Sequence, residues 1–154
     1  MKNIYKYICI ATAILIIDRI TKILALVYCN EHAYQCASFV SCEVMCNTGI
    51  SWGMFQDAST IIVIIQLCIV GVLSWYAYKE YSRNAGNINI IGYVCIITGT
   101  LSNMIDRVLY GCVVDFISVE YNIFSWPVFN CADVAIVCGV GFLVWRSNYD
   151  TLSV

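Results

Sequence analysis

The chain has 154 residues, 61% hydrophobic and only 12% charged, with a net charge of −2. A soluble domain carries about 25% charged residues, so this composition and a mean hydropathy of +0.79 exclude an ordinary soluble fold and point to a polytopic membrane protein. Balanced charge without a Lys/Arg-rich tract excludes a nucleic-acid partner. With a single proline and no internal repeat, residues 1–154 read as one integral membrane domain.

A helix needs about 20 apolar residues to cross a bilayer. Four windows meet or approach that length, at about 8–27, 61–78, 88–105 and 128–145. The expected class is an all-α membrane protein: four transmembrane helices and a small β-containing outer surface segment. The first window follows Lys2 and Lys6, as a signal peptide would. Asp18, Arg19 and Lys22 interrupt it and no A-x-A site follows, so we expect an uncleaved first helix. Asp18 and Lys22 share a helical face at i, i+4 and neutralise each other, which reads as a structural pair. Arg19 points elsewhere, to snorkel or to meet an acid.

Residues 28–60 are too polar to span. SFVSCEVMCNTGISWGMF mixes β-formers with alternating polar positions, predicting a hairpin or small sheet on the membrane surface. Gly49 and Gly53 mark turns or close backbone approach. Cys29, Cys36, Cys42 and Cys46 cluster here with His32, and a disulfide and a metal site are both open. No C-x-x-C pair exists among the ten cysteines, which argues against a thioredoxin-like motif and a zinc ribbon. Cys9, Cys68, Cys95 and Cys138 fall in apolar runs as small hydrophobes.

Lysine and arginine set the orientation. Lys2 and Lys6 lie at the amino end, Lys79 and Arg83 between the second and third helices, and Arg146 near the carboxyl end. Residues 28–60 carry none, and residues 106–127 carry Arg107 alone. Both termini should be cytoplasmic, with 28–60 and 106–127 as outer segments.

The stretch from Gly99 to Asp133 gathers several of the scarce charges beside two apolar segments, where each is costly. Asn103, Asp106 and Arg107 share one helical face. Asp106 can pair with Arg107 or another partner at the end of helix three, and Arg107 can reach a backbone carbonyl or a lipid phosphate. Pro127 suits the first turn of helix four. Asn130, three residues before Asp133, can orient it, bind a peptide or join helices.

Asp115, just beyond helix three, and Asp133, about a turn and a half into helix four, fall at one depth near the outer interface. Two close carboxylates cannot both ionise cheaply, so one keeps a proton. Such a pair activates a water and protonates a leaving amine. From spacing alone, two separate interfacial aspartates fit as well. Two other functions compete: a small proton-coupled transporter using Asp18, and a thiol oxidoreductase, which needs a reactive cysteine pair.

Four blocks taken in order resolve the choice: DRITK (Asp18–Lys22), NTGISWGMF (Asn47–Phe55), GTLSNMIDRVLYGCVVDFI (Gly99–Ile117) and WPVFNCADVAI (Trp126–Ile136). Together they resemble the motif blocks of the lipoprotein signal peptidases, or signal peptidases II, over nearly the whole chain. The resemblance implies an aspartic endopeptidase of the bacterial inner membrane. It would remove signal peptides from diacylglyceryl-modified prolipoproteins before the lipid-bearing cysteine, with membrane lipid as partner and globomycin as inhibitor. It makes Asp115 and Asp133 catalytic and Asp106 supporting. Asn47, Gly49, Asn103, Arg107 and Asn130 would line or support the site, and Asp18 and Lys22 would be structural. Many members carry Ala-Phe where this chain has Ser51–Trp52. No cofactor or metal is expected, because the carboxylate pair generates its own nucleophile from water.

Overall fold

The computed structural model describes residues 4–49, 59–83 and 87–152. Ser51, Trp52 and Gly53 lie outside the described residues. Four helices carry the mass: α1 (Ile4–Tyr28), α2 (Ser59–Ser82), α3 (Asn87–Tyr110) and α4 (Cys131–Leu152). The described residues also form four strands: β1 (Tyr34–Ala37), β2 (Val40–Asn47), β3 (Val113–Tyr121) and β4 (Phe124–Phe129).

Among the described residues, three helices contain stretches long and apolar enough to cross a membrane, Thr60–Ser82, Ile88–Tyr110 and Cys131–Asn148. The family of apolar faces is lopsided. Most of α2 is exposed, as befits a helix that is apolar all round and faces lipid. The central helix is α3, whose span is more than half buried. It meets α4 backbone to backbone. A Cβ on Gly99 would stand 2.5 Å from the Ala132 carbonyl oxygen, and one on Gly139 would stand 2.6 Å from that of Gly92. Small residues permit this approach, which favours helix association in lipid.

The strands form one antiparallel sheet in the order β1-β2-β3-β4. In the central pair Met45 lies opposite Asp115, Cys46 opposite Val114 and Asn47 opposite Val113, beyond an irregularity between Cys42 and Met45. The β3–β4 hairpin closes over Asn122, whose φ of 54° suits the left-handed turn position that asparagine tolerates.

Several expectations need correction. Residues 106–127 are not one outer segment. Helix α3 continues to Tyr110, because buried partners neutralise Asp106 and let the helix run past the end of its apolar window. Most of the rest of that segment is strand, so it and residues 28–60 together build the sheet. Pro127 lies in β4, an edge strand where its missing N–H breaks no ladder bond. Helix α4 begins at Cys131, so Asp133 sits in its first turn. The clustered cysteines form disulfides: Cys29 pairs with Cys42, and Cys46 pairs with Cys112 across 66 residues. Cys36 is a free, exposed thiol. Among the described residues no group of side chains could hold a metal ion.

Candidate active site

The amino end of α4 meets the carboxyl end of α3 and the start of β3. The first N–H groups of any helix lack intrahelical acceptors. Here Asn130 is the N-cap. Its Oδ1 accepts the Asp133 N–H at 3.0 Å, and Asp133 Oδ2 accepts the Asn130 N–H at 3.2 Å. This reciprocal capping box fixes the Asp133 carboxylate. The Ala132 N–H goes to Asp18 Oδ1 of α1 at 2.9 Å.

The remaining amide of Asn130 donates to Asp115 Oδ1 at 2.6 Å and to Asn103 Oδ1 at 3.2 Å. Asn103 Nδ2 donates to Asp133 Oδ1 at 2.8 Å. Its orientation follows from chemistry, because Asn103 Oδ1 also accepts from Lys22 Nζ at 3.0 Å, and an ammonium only donates. From the sheet, Asn47 Nδ2 donates to Asp115 Oδ2 at 2.9 Å. Asn47 and Asp115 share a sheet face as a diagonal pair, since Asn47 lies opposite Val113, two residues before Asp115. Asn47 Oδ1 accepts the Gly49 N–H, and the Gly49 carbonyl accepts from Arg107 Nη2 at 2.8 Å. Two carboxylates therefore share a scaffold of three asparagines. Asp115 is almost fully buried, and burial, reinforced by the Asp133 charge, pushes its carboxyl up to about 6 although Asn47 and Asn130 pull it down.

One layer deeper, Asp18, Lys22 and Asp106 form a buried ion cluster with Arg19. Lys22 Nζ reaches Asp18 at 2.9 Å and Asp106 at 2.7 Å, and Arg19 reaches the same acids at 2.9 and 2.6 Å. Asp106 thus pairs with α1, not with Arg107. Ser102 Oγ donates to Asp18 at 2.6 Å, and the Val114 N–H reaches Asp106 at 3.3 Å. Asp18 accepts from Arg19, Lys22, Ser102 and the Ala132 N–H and has no exposed surface, which leaves it no route to water as a transported-proton carrier.

A cavity of about 650 Å³ opens in front of the carboxylates. Asn47, Gly49, Asn103, Arg107, Asp115 and Asp133 line its polar floor; Asn130, fully buried, lies behind it. Its walls are apolar: Ile62, Ile65 and Ile69 of α2, Val134 and Val137 of α4, and Trp126–Phe129 of β4. A second cavity of about 500 Å³ shares Asn47, Gly49 and Asp115 and runs along the sheet past Glu43, Ser118, Glu120 and Ser125. Gln66 escaped the sequence reading. It lines the first cavity, and its Oε1 has no partner among the described residues. A lone amide inside an apolar span was the available signal.

The arrangement defines a membrane-embedded hydrolase. Two solved bacterial membrane enzymes share its fold: one with a TM-score of 0.83 at 30% identity, covering 96% of this chain and 90% of that one, the other with a TM-score of 0.80 at 27% identity, covering 93% and 92%. Residues 10–149 match the family model described as signal peptidase (SPase) II. Proteins named lipoprotein signal peptidase are similar over most of the chain. The one from Nitrobacter hamburgensis is 38% identical over 92% of this chain and 90% of its own length, and the one from Thermodesulfovibrio yellowstonii is 36% identical over 87% and 88%. The chain belongs to the signal peptidase II family and is a peptidase.

Proposed function

We propose that Asp115 and Asp133 form an aspartic dyad with which this chain removes signal peptides from diacylglyceryl-modified prolipoproteins, before the lipid-bearing cysteine. The observation that carries the reading is the shared asparagine scaffold, which aims two carboxylates into one apolar-walled cavity. The pair titrates as a unit and, in the reactive state, shares one proton. The ionised member takes a proton from water as the water oxygen bonds to the scissile carbonyl carbon. The protonated member gives its proton to the carbonyl oxygen. Collapse of the tetrahedral intermediate breaks the C–N bond, and the amine leaves with a proton from the dyad. The products are a signal-peptide carboxylate and a new amino-terminal cysteine.

Asn47, Gly49, Asn103, Arg107 and Asn130 orient the dyad and its substrate, while Asp106, Asp18 and Lys22 brace the helices behind them. The signal peptide lies in the apolar cavity between α2 and α4, its lipid chains left among membrane lipid. The mature segment leaves along the second, polar cavity. A globomycin-type cyclic peptide would occupy the first.

All four helices span the inner membrane as one domain. At 25 residues α1 is about 38 Å long, and its interrupting charges are neutralised inside the bundle. Lys6, Lys79, Arg83 and Arg146 mark a cytoplasmic face holding both termini. The sheet and its two disulfides fit the opposite, oxidising side.

The test is cleavage of a diacylglyceryl-modified prolipoprotein by purified protein in detergent. Wild type should process it, insensitive to chelator and blocked by globomycin. Processing at wild-type rate by Asp115→Asn or Asp133→Asn would overturn the dyad.

A further inference from the structure

Strand β2 is fastened at two points. Cys42 is bonded to Cys29, just past the outer end of α1, and Cys46 to Cys112, in the turn between α3 and β3. Between these points the β2–β3 ladder is irregular, between Cys42 and Met45. Beyond the irregularity only three residue pairs remain, ending at Asn47 and Val113. So short a ladder end holds its register weakly, and a slip of one residue turns every side chain to the other face.

Cys46 and Cys112 sit diagonally on the face opposite Asn47 and Asp115, because Cys46 faces Val114 and side chains alternate along a strand. The bond therefore locks, from behind, the register that brings the Asn47 amide to Asp115. We infer that the Cys46–Cys112 disulfide is a positioning element for peptide hydrolysis, acting through Asn47 on Asp115, and that full activity requires this cysteine pair to be oxidised. The inference rests on reading Asp115 as a dyad member. Oxidation joins the two sulfurs and removes two protons and two electrons, which pass to the disulfide of a thiol oxidoreductase and leave it as a dithiol. Cys46 is exposed, so a thiolate can reach it, whereas Cys112 is buried.

The charged groups facing Asp115 are Asp133 of α4, Lys22 of α1 and Arg107 of α3, with Glu43 and Glu120 along the second cavity. None of them belongs to the disulfide. Asn47 donates to the charged form of Asp115, so losing it moves the limb of the pH–rate profile that Asp115 governs to higher pH.

The experiment compares pH–rate profiles for cleavage of a diacylated prolipoprotein peptide, after non-reducing peptide mapping of the wild type. Mapping should recover Cys46 joined to Cys112; recovery as free thiols overturns the inference. Cys46→Ser/Cys112→Ser should lower kcat about tenfold and shift one limb upward by about one pH unit, the two measures of one tenfold factor. Asn47→Ala should give the same shift alone and no further shift in the double-serine background. If the double variant does not fold, dithiothreitol added to Cys29→Ser/Cys42→Ser protein opens only the remaining bond and should produce the same shift. An active wild type whose profile is unchanged by both treatments overturns the positioning role alone. A folded wild type that cleaves nothing overturns the peptidase reading, and this inference with it.

Discussion

Two groups of aspartates lie one layer apart and are treated in opposite ways. Asp18 and Asp106 face Arg19 and Lys22, two acids with two bases in a closed cluster. Among the described residues, Asp115 and Asp133 receive only amides and a backbone N–H, and they open onto a cavity. Cationic partners neutralise a carboxylate and lock it into a brace. Amide partners hold it in place without settling its charge, so it can exchange a proton. The layers touch through Asn103, which accepts from Lys22 and donates to Asp133. The ion cluster braces the proposed dyad without discharging it.

The contrast breaks most sharply at the reactive layer. Asp115→Asn and Asp133→Asn should each lower kcat by about 10³-fold or more while the protein still folds, as read by single-turnover cleavage and a thermal melt in detergent. At the ion cluster the effects should invert. Asp106→Asn leaves Arg19 and Lys22 with one acid between them, at a cost of about 3–5 kcal/mol. The melt should fall well before the activity of the folded fraction does.

Asn130→Ala tests the join between cap and site. Losing one hydrogen bond to a charged group, about 1.5–3 kcal/mol, should lower kcat about ten- to a hundredfold, measured beside Asn103→Ala. The smallest expected effect is on stability against pH. The Asp115 carboxyl is raised to about 6 from an ordinary 3.8, so the native protein binds its proton more tightly than the unfolded chain does. That contribution is full below the ordinary value and is lost as pH rises through 6. Asp115→Asn should therefore melt a few degrees above wild type at pH 8, and the gap should close toward pH 5.

The residues of the proposed dyad were legible as candidates because acids and amides beside apolar runs are costly, and Asp115, Asp133, Asn103 and Asn130 stood out for that reason; spacing left two separate aspartates equally open, and only the family resemblance paired them. What stayed hidden depends on partners far along the chain. Asp106 and Arg107 looked like the end of a helix, since charge closes a hydropathy window, yet Arg19 and Lys22, more than eighty residues earlier, let α3 continue. VVDFISVEY alternates as a strand does, but its partner β2 lies more than sixty residues upstream. Cys112 likewise gave no local sign that it was the partner of Cys46. Gln66 was overlooked for carrying no charge.

The capping box at the start of α4 has a consequence for inhibitors and the resistance they select. Asp133 both faces the cavity and closes the first turn of its own helix. A compound that bonds to this carboxylate presses on a residue that cannot change without loosening a transmembrane helix end, and Asn130, bound to both aspartates, is equally constrained. Escape is left to the apolar wall, at positions such as Ile65 or Val137, where a change of shape leaves the polar floor intact. Compounds that draw their affinity from the floor rather than the wall should be the hardest to evade.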